Sequence, residues 1–509
     1  MTNTDLCYTA ASDLAVLIAN GDLSPVELMQ ATIDRVESLN PELNAICTPT
    51  LDQAMDEARQ AEAAIAAKEP LGPLHGIPTT IKDLVCTRGV RTMMGSNIFA
   101  DQVPDFDAVV VKRLNAAGAI SLGKTTVPEF GWKGCSDSPL TGVSHNPWQH
   151  GMNAGGSSTG AAICAAAGIG PLHQGSDGAG SIRMPAAFCG VYGLKPSFGR
   201  VPYYPIGNND QVSHIGPITR TVTDAALMMN VMAGPDDHDP SSADDRNVDY
   251  LANLNDGVAG WRVAYSPDLG YLPVDQEVAE SVAKAVKTFE GLGADVHEVD
   301  PGWGDPIEME HFFWTANFAG NLGPHLDQWE EQMDPGLVSC IRDGTHHLAT
   351  DYVRMKQRRL DYHARVLEFF ENYDLLLTPS LSVAAFPVER LIPEHWEQHP
   401  WDWLRWAGFS YPFNLTWLPA APDPRVSPAV AYLWGCKSLA GTAKIKRCCR
   451  LRAHLKRHSR GLSAGRLSNK DVLINTHPRS RCADYRRGSW PWPSNMHGLS
   501  SAQCQSCYC

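Results

Sequence analysis

The chain has 509 residues, 43% of them hydrophobic, and a formal net charge of −14. This length suits one large α/β domain or several smaller ones. The sequence has no apolar run of about 18 residues that would predict a membrane span, and its first residues (MTNTD) lack the basic and apolar regions of a signal peptide. We therefore expect a cytoplasmic protein with reduced cysteines and no membrane partner.

Charge is divided unevenly along the chain. Residues 421–509 carry 16 Lys and Arg against 3 Asp and Glu, a balance of +13, which leaves −27 for residues 1–420. Binding to nucleic-acid phosphates needs a basic protein face. The acidic body therefore argues against nucleic acid as a partner.

The N-terminal part is predicted to form helices within about residues 8–68. SPVE at residues 24–27 is a capping box with proline at the first helical position, and apolar residues follow at helical spacing. The NP pair at residues 40–41 ends this helix. Residues 51–68 form a second, Ala- and Glu-rich helix, and we expect both helices to wrap the outside of a core.

From residue 70 onward, short apolar strands alternate with helices, the rhythm of an α/β domain. The predicted strands are residues 77–81, 119–122, 295–299 and 373–379, and the predicted helices are residues 108–117, 161–169, 222–232 and 278–292. Small residues dominate the helix at 161–169, which predicts tight packing in the interior.

Residues 118–125 (GAISLGKT) match the pattern of a phosphate-binding loop. Such a loop follows a strand and opens a helix, whereas here a helix precedes it and its interior is itself an apolar strand. TTVP at residues 125–128 disfavours a helix directly after Lys124. We therefore do not expect nucleotide binding, and we expect neither a cofactor nor a metal.

Glycine and serine are concentrated in residues 155–160 (GGSSTG) and 176–185 (SDGAGSIRMP). Glycine is placed where the backbone bends sharply or approaches a ligand closely. Convergent amides beside a serine hydroxyl make an oxyanion hole, which favours acyl transfer. Such stretches are also typical of flexible linkers, but a linker would not be followed by the apolar helix at 161–169.

A serine nucleophile needs a base. His173 and His214 are nearby in sequence, but neither belongs to a recognisable Ser-His-Asp arrangement, and most histidines are structural. Lys82 ends an apolar strand in GIPTTIKD (residues 76–83), where burial would lower the pKa of its amine toward neutrality. The alternative for Lys82 is a surface lysine paired with Asp83.

Together these motifs resemble the amidase signature family over about residues 8–420. The matching segments are GPLHGIP and IKD within 72–83, GKT and PEFG within 123–131, GGSSTG at 155–160, SDGAGSIRMP, FCG and GLKP within 176–196, and GPITRTV at 216–222. The resemblance implies an α/β fold with a mixed, twisted central β-sheet flanked by helices on both faces. It also implies a Ser–Ser–Lys triad, with Ser181 as nucleophile, Ser157 as the bridging serine after a cis peptide bond, and Lys82 as base.

The same resemblance predicts the residues around the triad. The oxyanion would be held by backbone amides, those of Gly178, Ala179, Gly180 and Ser181. Asp177 and Arg183 would form an ion pair that braces the loop, and Ser158 would add a hydrogen bond near the relay. Ala179 and Thr159 depart from the family's glycines, and because both are small we expect a changed pocket shape rather than lost activity.

The expected substrate is a small carboxamide, anilide or related acyl amide, hydrolysed to a carboxylate and an amine or ammonia. A homodimer is compatible with the family. Cys189, within the signature, is expected to be packed core rather than a reactive thiol. Aromatic residues that are candidates for lining a pocket, although such residues are more often core, are Tyr203, Tyr204, Trp396, Trp401, Trp403 and Trp406.

Two other functions compete with this interpretation. The glutaminase subunit of a tRNA-dependent amidotransferase resembles the chain in the same motifs, but Met184 stands where that subfamily tends to carry glutamine, and PEFG at 128–131 is more similar to free-standing amidases. A catalytically silent binding protein on the same scaffold is the other, and the intact Lys82, Ser157 and Ser181 argue against it.

The resemblance stops at residue 420. The sequence after it contains no glutamate and holds seven of the 14 cysteines. Three interpretations of residues 421–509 are open. They could be a basic arm that binds nucleic acid, or they could bind a metal through Cys504, Cys507 and Cys509, although a second cysteine pair at zinc spacing is missing. The third interpretation is a slipped reading frame. The absence of any organising pattern favours the slipped frame. We therefore predict an amidase domain at 1–420 and an atypical basic, cysteine-rich tail at 421–509 that is frame-slipped or disordered.

Overall fold

The computed structural model describes residues 3–205, 212–244, 248–422 and 430–434. The helices of these residues are α1 Asn3–Tyr8, α2 Ala11–Asn20, α3 Pro25–Leu43, α4 Leu51–Ala66, α5 Val109–Ala116, α6 Thr159–Ala167, α7 Arg183–Phe188, α8 Val222–Met232, α9 Gln276–Gly291, α10 Ile307–Leu322, α11 Leu326–Trp329, α12 Pro335–Gly344, α13 Ala349–Phe369 and α14 Pro412–Leu415. The strands are β1 Ile46–Pro49, β2 Pro78–Lys82, β3 Ile120–Thr125, β4 Asp137–Ser138, β5 Gly142–Val143, β6 Leu172–Asp177, β7 Tyr192–Gly193, β8 His214–Thr219, β9 Arg262–Tyr265, β10 Asp295–Glu298, β11 Leu375–Pro379, β12 Ala420–Pro422 and β13 Val430–Trp434.

Two β-sheets meet at a shared edge. The first has the strand order β1-β3-β2-β6-β8-β7, with β2 parallel to β3 and β6 and the other pairs antiparallel. The second has the order β10-β9-β11-β13-β12, with β9 parallel to both β10 and β11. Lys195 and Ala420 exchange two backbone hydrogen bonds of 2.9 Å, which join the chain just after β7 to β12. The mixed central β-structure that the sequence predicts is confirmed.

Helices cover both faces of the first sheet. α3, α4 and α6 pack on one face against Ile120 and Leu122, and α2, α5 and α8 pack on the other against Ile81 and Leu172. All nine residues of α6 are buried. Its small side chains permit very close packing, since a Cβ atom built on Gly160 would lie 1.9 Å from the carbonyl oxygen of Ala45.

The helix α3 starts where the sequence predicts and continues past its predicted end. Ser24 Oγ accepts hydrogen bonds from the amides of Val26 (3.0 Å) and Glu27 (3.3 Å), which caps the N-terminus. Pro41 lies within the last turn, and the helix ends only at Asn44, a left-handed residue whose N–H donates to the carbonyl of Asn40 (2.8 Å). The predicted end of the helix at residues 40–41 is therefore wrong, because Asn44 and not Pro41 forms the C-terminal cap.

The segment that matches a phosphate-binding loop is the strand β3. Lys124 is 1% exposed, and its Nζ donates to the carbonyl of Val85 and to the hydroxyls of Thr87 (3.2 Å) and Thr92 (3.1 Å). These oxygens hold the amine inside the protein. The interior of the segment is therefore a strand, as predicted, and its lysine is bonded within the protein.

The second sheet extends beyond residue 420. β13 pairs antiparallel with both β11 and β12. Residues 423–429 and 435–509, including Cys504, Cys507 and Cys509, lie outside the described residues, so the interpretation of the tail stays a prediction. Within the described ranges, no helix is long and apolar enough to cross a membrane.

The strands β2 and β6 position the candidate site. They are neighbouring parallel strands, with Thr79 opposite Leu172 and Thr80 opposite His173. Lys82 is the last residue of β2, and Asp177 is the last residue of β6. The residues at and after both strand ends are therefore brought to the same edge of the sheet, where ligand sites of α/β sheets commonly lie.

Candidate active site

The amine of Lys82 is completely buried at the end of β2. Its Nζ lies 2.8 Å from Ser157 Oγ and 3.2 Å from the carbonyl oxygen of Ser176. Burial lowers the pKa of Lys82 to about 7, although the negative charge of Asp177 acts in the opposite direction. The neighbouring carboxylate of Asp83 accepts a hydrogen bond from the amide of Met93 (3.1 Å). Lys82 is therefore not a surface lysine, and a large share of it is neutral near pH 7.

The paired serines lie directly before α6. The peptide bond between Gly156 and Ser157 is cis, as the family resemblance implies. Ser158 Oγ donates to the carbonyl of Ser176 (3.0 Å) and accepts from its N–H (3.2 Å). Ser158 and Lys82 therefore share one carbonyl acceptor, which places Ser158 beside the predicted relay.

Ser181 lies on a glycine turn after β6. Gly180 has a φ of 119°, and a Cβ atom built there would lie 2.6 Å from Ser410 Cβ, so the turn has no room for a side chain. The N–H of Ser158 donates to the carbonyl of Ser181 (3.0 Å). This bond ties the candidate nucleophile to the start of α6.

A buried ion pair braces this turn. Arg183 Nη2 lies 2.8 Å from Asp177 Oδ1, and Arg183 Nε lies 2.9 Å from Asp177 Oδ2. Burial alone would raise the pKa of Asp177, but the Arg183 guanidinium and neighbouring hydrogen-bond donors hold it well below its usual range. Asp177 Oδ1 also accepts the N–H of Gly180 (2.8 Å). The amide of Gly180 is thus already bonded within the protein, whereas it was predicted to help hold the oxyanion.

Asn414, on α14, was not singled out in the sequence. Its Nδ2 donates to Asp177 Oδ1 (2.9 Å) and to the carbonyl of Val212 (3.1 Å), and its Oδ1 accepts from Arg183 Nη2 (2.5 Å). In the sequence, Asn414 lies in PFNLT at 412–416, near the end of the stretch that resembles the family. Its partners could be found only from the fold, because it is 237 residues from Asp177.

Ser157 and Ser181 line the same small cavity of about 50 Å³. Its other described polar side chains are those of Ser176, Ser213 and Asn317, and no described lining residue is charged. Its aromatic residues are Phe130, Tyr203, Trp314 and Phe318. The site thus combines two hydroxyls, a nearby buried amine and a cavity whose described lining is partly aromatic and carries no charged side chain.

The two histidines are structural, as expected. His173 Nδ1 is 2.9 Å from Thr80 Oγ1, and His214 Nδ1 is 2.6 Å from the carbonyl of Val212. Burial lowers the pKa of His173 to about 3 and lowers the pKa of His214 as well. Neither ring forms a hydrogen bond with the candidate serines in the described residues.

The other residues proposed from the sequence divide between cavities and core. Tyr203 lines the cavity of Ser181, while Trp396 lines a different cavity. Tyr204 instead packs on Phe106, with ring centroids 6.1 Å apart. The tryptophans that are buried core are Trp401, Trp403 and Trp406. Cys189 is completely buried, and burial raises the pKa of its thiol.

Comparison with known proteins agrees with this geometry. The amidase family model matches residues 27–425. An acylamidase from Rhodococcus erythropolis is 41% identical over 434 residues, which cover 83% of this chain and 90% of that protein. A glutamyl-tRNA(Gln) amidotransferase subunit from Heliobacterium modesticaldum is 43% identical over 411 residues, which cover 74% of this chain and 83% of that protein. A solved bacterial aryl acylamidase of the amidase signature family superposes with a TM-score of 0.81 at 28% identity, covering 89% of this chain and 96% of that chain. The chain therefore belongs to the amidase signature family of amide hydrolases.

Proposed function

We propose that this chain hydrolyses small, uncharged acyl amides, anilides among them, through an acyl-enzyme on Ser181. The observation that carries the proposal is a buried, low-pKa amine in contact with Ser157, at a cavity that Ser157 shares with Ser181. An acylamidase and an aryl acylamidase among the similar proteins support the same substrate class.

Proton transfer begins at Lys82. When its amine is neutral, the lone pair of Nζ can accept the proton of Ser157, 2.8 Å away. Ser157 then accepts the proton of Ser181 as Ser181 Oγ forms a bond to the carbonyl carbon of the substrate. Lys82 becomes an ammonium, and the carbonyl of Ser176 at 3.2 Å accepts one of its N–H groups.

The substrate oxygen becomes an oxyanion in this step. We propose that the amides of Gly178, Ala179 and Ser181 stabilise it, since the amide of Gly180 donates to Asp177. Gly180 then contributes its backbone conformation, and the ion pair of Asp177 with Arg183 fixes the turn.

Collapse of the tetrahedral intermediate breaks the C–N bond. Lys82 returns its proton to Ser157, which protonates the departing nitrogen, so that an amine or ammonia leaves. A water molecule then attacks the acyl-enzyme, and its proton passes along the same two groups. The carboxylate product leaves and Ser181 regains its proton.

The cavity limits the substrate in size and charge. A volume of about 50 Å³ holds only a few atoms, since one water needs roughly 10–15 Å³ on this scale. Trp314 and Gly178 both line this cavity. The Trp314 ring lies close to the Gly178 backbone, since a Cβ atom built on Gly178 would be 3.8 Å from Trp314 Cζ3. We therefore propose a short acyl group, with an aromatic or apolar amine side of the substrate.

The test measures amine release from acetanilide, from short aliphatic amides and from glutamine. We expect hydrolysis of the first two, and loss of activity in Ser181→Ala, Ser157→Ala and Lys82→Ala. A fluorophosphonate probe should label Ser181 in the wild type and in the Ser138→Ala control, because Ser138 Oγ contacts Thr141 and Ser138 does not line the cavity of Ser181. An unlabelled Ser181 would instead support a silent binding protein.

The glutaminase subunit of an amidotransferase is the second candidate, favoured by the 43% identity to such a protein. Glutamine carries both an ammonium and a carboxylate, and buried charges need partners. The described lining offers no charged side chain, and Met184 is fully buried behind the Gly180 turn. Glutamine hydrolysis stimulated by a partner protein and charged tRNA would establish this candidate over ours.

We also propose a cytoplasmic location. The cysteines of the described residues, seven in number, are all free. Free thiols suit a reducing compartment. Fractionation of the native host with a cytoplasmic marker enzyme tests the location, and recovery in a secreted or membrane fraction would contradict it.

A further inference from the structure

A second cavity, much larger than the catalytic one, lies at the start of α10. Its volume is about 510 Å³, within the range of about 300–1,000 Å³ that small-molecule pockets occupy. Ile307 and His311 line it, whereas Trp314 and Phe318 of the same helix line the cavity of Ser181. The two cavities are therefore distinct, although one helix contributes to both.

The walls of this second cavity are mainly apolar and aromatic. Its aromatic residues are Tyr271, Trp396 and Tyr411, and Leu272 and Ile307 add aliphatic surface. Tyr411 is 1% exposed, so its position is fixed by packing. Aromatic faces and edges of this kind favour a flat aromatic ligand.

The basic side chains of this cavity already have carboxylate partners. Arg405 lies 2.6 Å from Asp402 through Nε and 2.6 Å from Glu397 through Nη1. His311 Nε2 lies 2.7 Å from Asp402 Oδ1. Because carboxylates already bind the Arg405 guanidinium and the His311 ring, these groups are not free to select an anion.

Asp305 supplies the polar contact for a ligand. Its Oδ1 accepts the N–H of Ile307 (2.9 Å), and in the described residues no side chain donates to its carboxylate. The ring of His395, which also lines the cavity, lies 2.9 Å from Asp275 Oδ1. The free acceptor capacity of Asp305 therefore matches a ligand that brings an N–H group.

We propose that this second cavity binds aromatic amines, with the ring against Tyr271, Trp396 and Tyr411 and the amine N–H donating to Asp305. The assignment does not require that Ser181 be the nucleophile, because it concerns a separate cavity. Under the proposed function such an amine would be the leaving group of an anilide. Tyr411 directly follows Ser410, whose carbonyl accepts from Arg183 (2.7 Å), so the occupied wall would be continuous with the nucleophile turn.

The test is calorimetric titration of the full chain with aniline, toluene, benzoate and cyclohexylammonium, in enzyme whose catalytic cavity has been blocked with a fluorophosphonate and in unblocked enzyme. We expect aniline to bind best in both, since only aniline combines an aromatic ring with a neutral N–H donor. Ile307→Trp should abolish this binding by placing an indole ring in the space beside Asp305 that the ligand would occupy. Asp305→Asn should weaken it by about tenfold, the difference between a charged and a neutral acceptor.

Two matched substitutions serve as controls. Leu348→Trp introduces the same side chain as Ile307→Trp at a residue that is 64% exposed. Asp327→Asn removes a carboxylate on α11. Neither residue lines the second cavity. Both should bind aniline as the wild type does. Binding that survives Ile307→Trp, equal binding of toluene or cyclohexylammonium, or no aniline binding to folded protein would each overturn the proposal. Failure of labelling at Ser181 alone would overturn the proposed function and leave this site standing.

Discussion

Replacing the buried Lys82, the proposed base, with an apolar residue should stabilise the fold while removing activity. Lys82→Met keeps the length of the side chain and eliminates the amine. In the folded chain, burial lowers the pKa of Lys82 from 10.5 to about 7. An unfolded lysine keeps its ordinary pKa, so at neutral pH folding must expel a proton, and this lowers the free energy of unfolding.

The size of the effect follows from the two pKa values. The penalty is about 4 kcal/mol at pH 7 and falls to about 1 kcal/mol at pH 10. It is fully present below the folded pKa and disappears as the pH rises toward the unfolded value. The lost hydrogen bonds to Ser157 and Ser176 offset about 1–2 kcal/mol. We therefore expect Lys82→Met to be more stable by about 2 kcal/mol at pH 7, and to have no advantage at pH 10.

The assay is urea unfolding of wild type and variant at both pH values, followed by circular dichroism, together with kcat/KM. Loss of the base should lower kcat/KM by about 10²–10⁴-fold. Lys124→Met is the matched control for activity, because Lys124 is equally buried and its Nζ contacts Thr87 and Thr92 instead of Ser157. A variant that is less stable than wild type at pH 7, by an amount that does not change with pH, would show that Lys82 is charged in the fold and refute the reasoning.

Three further outcomes are expected. In the wild type, kcat/KM should fall about tenfold per unit below pH 7 and level off above it, because the proposed base is the neutral amine of Lys82; a flat profile from pH 5 to 8 would contradict this role. Gly180→Ala should abolish labelling of Ser181 by fluorophosphonate, because Gly180 has a φ of 119° and Ser410 occupies the space that a Cβ atom would need. Gly260→Ala is the control: Gly260 has a φ of 76° but lies in open space, so Ser181 should still be labelled in this variant. Arg183→Met leaves the buried Asp177 without its cation and should lower the free energy of unfolding, measured in urea, by about 3–5 kcal/mol. Adding Asp177→Asn should restore part of this lost stability. If the double variant is no more stable than Arg183→Met, the ion pair is not the cause.

Much of the site was predictable because its chemistry is local in sequence. Lys82 ends a short apolar strand, and such a position predicts burial of the amine. The glycines before Ser181 predict a tight turn, and the structure has one at Gly180. The alternation of strands and helices likewise predicted the sheet, and α8 has the predicted bounds, Val222–Met232.

The parts that could not be predicted depend on contacts between distant segments. Asn414 reaches Asp177 only because α14 packs against the turn after β6. Trp314 and Phe318 lie four residues apart on α10, a spacing that is equally typical of core. The hydrogen bond between the Gly180 amide and Asp177 could not be predicted for a different reason. A glycine-rich sequence does not indicate which of its backbone amides bond within the protein and which are available to a substrate.

Two ionisable groups of the site, Lys82 and Asp177, are the last residues of β2 and β6. Parallel pairing brings Lys82 and Asp177 to the same edge of the sheet, and an unpaired Asp177 carboxylate beside Lys82 would stabilise the ammonium form. Arg183 and Asn414 instead bind that carboxylate directly. Their contacts keep the negative charge of Asp177 engaged with Arg183, so that desolvation decides the pKa of Lys82. The ion pair therefore affects the pKa of the proposed base as well as the geometry of the turn, which is why Arg183→Met should raise the pH at which kcat/KM levels off.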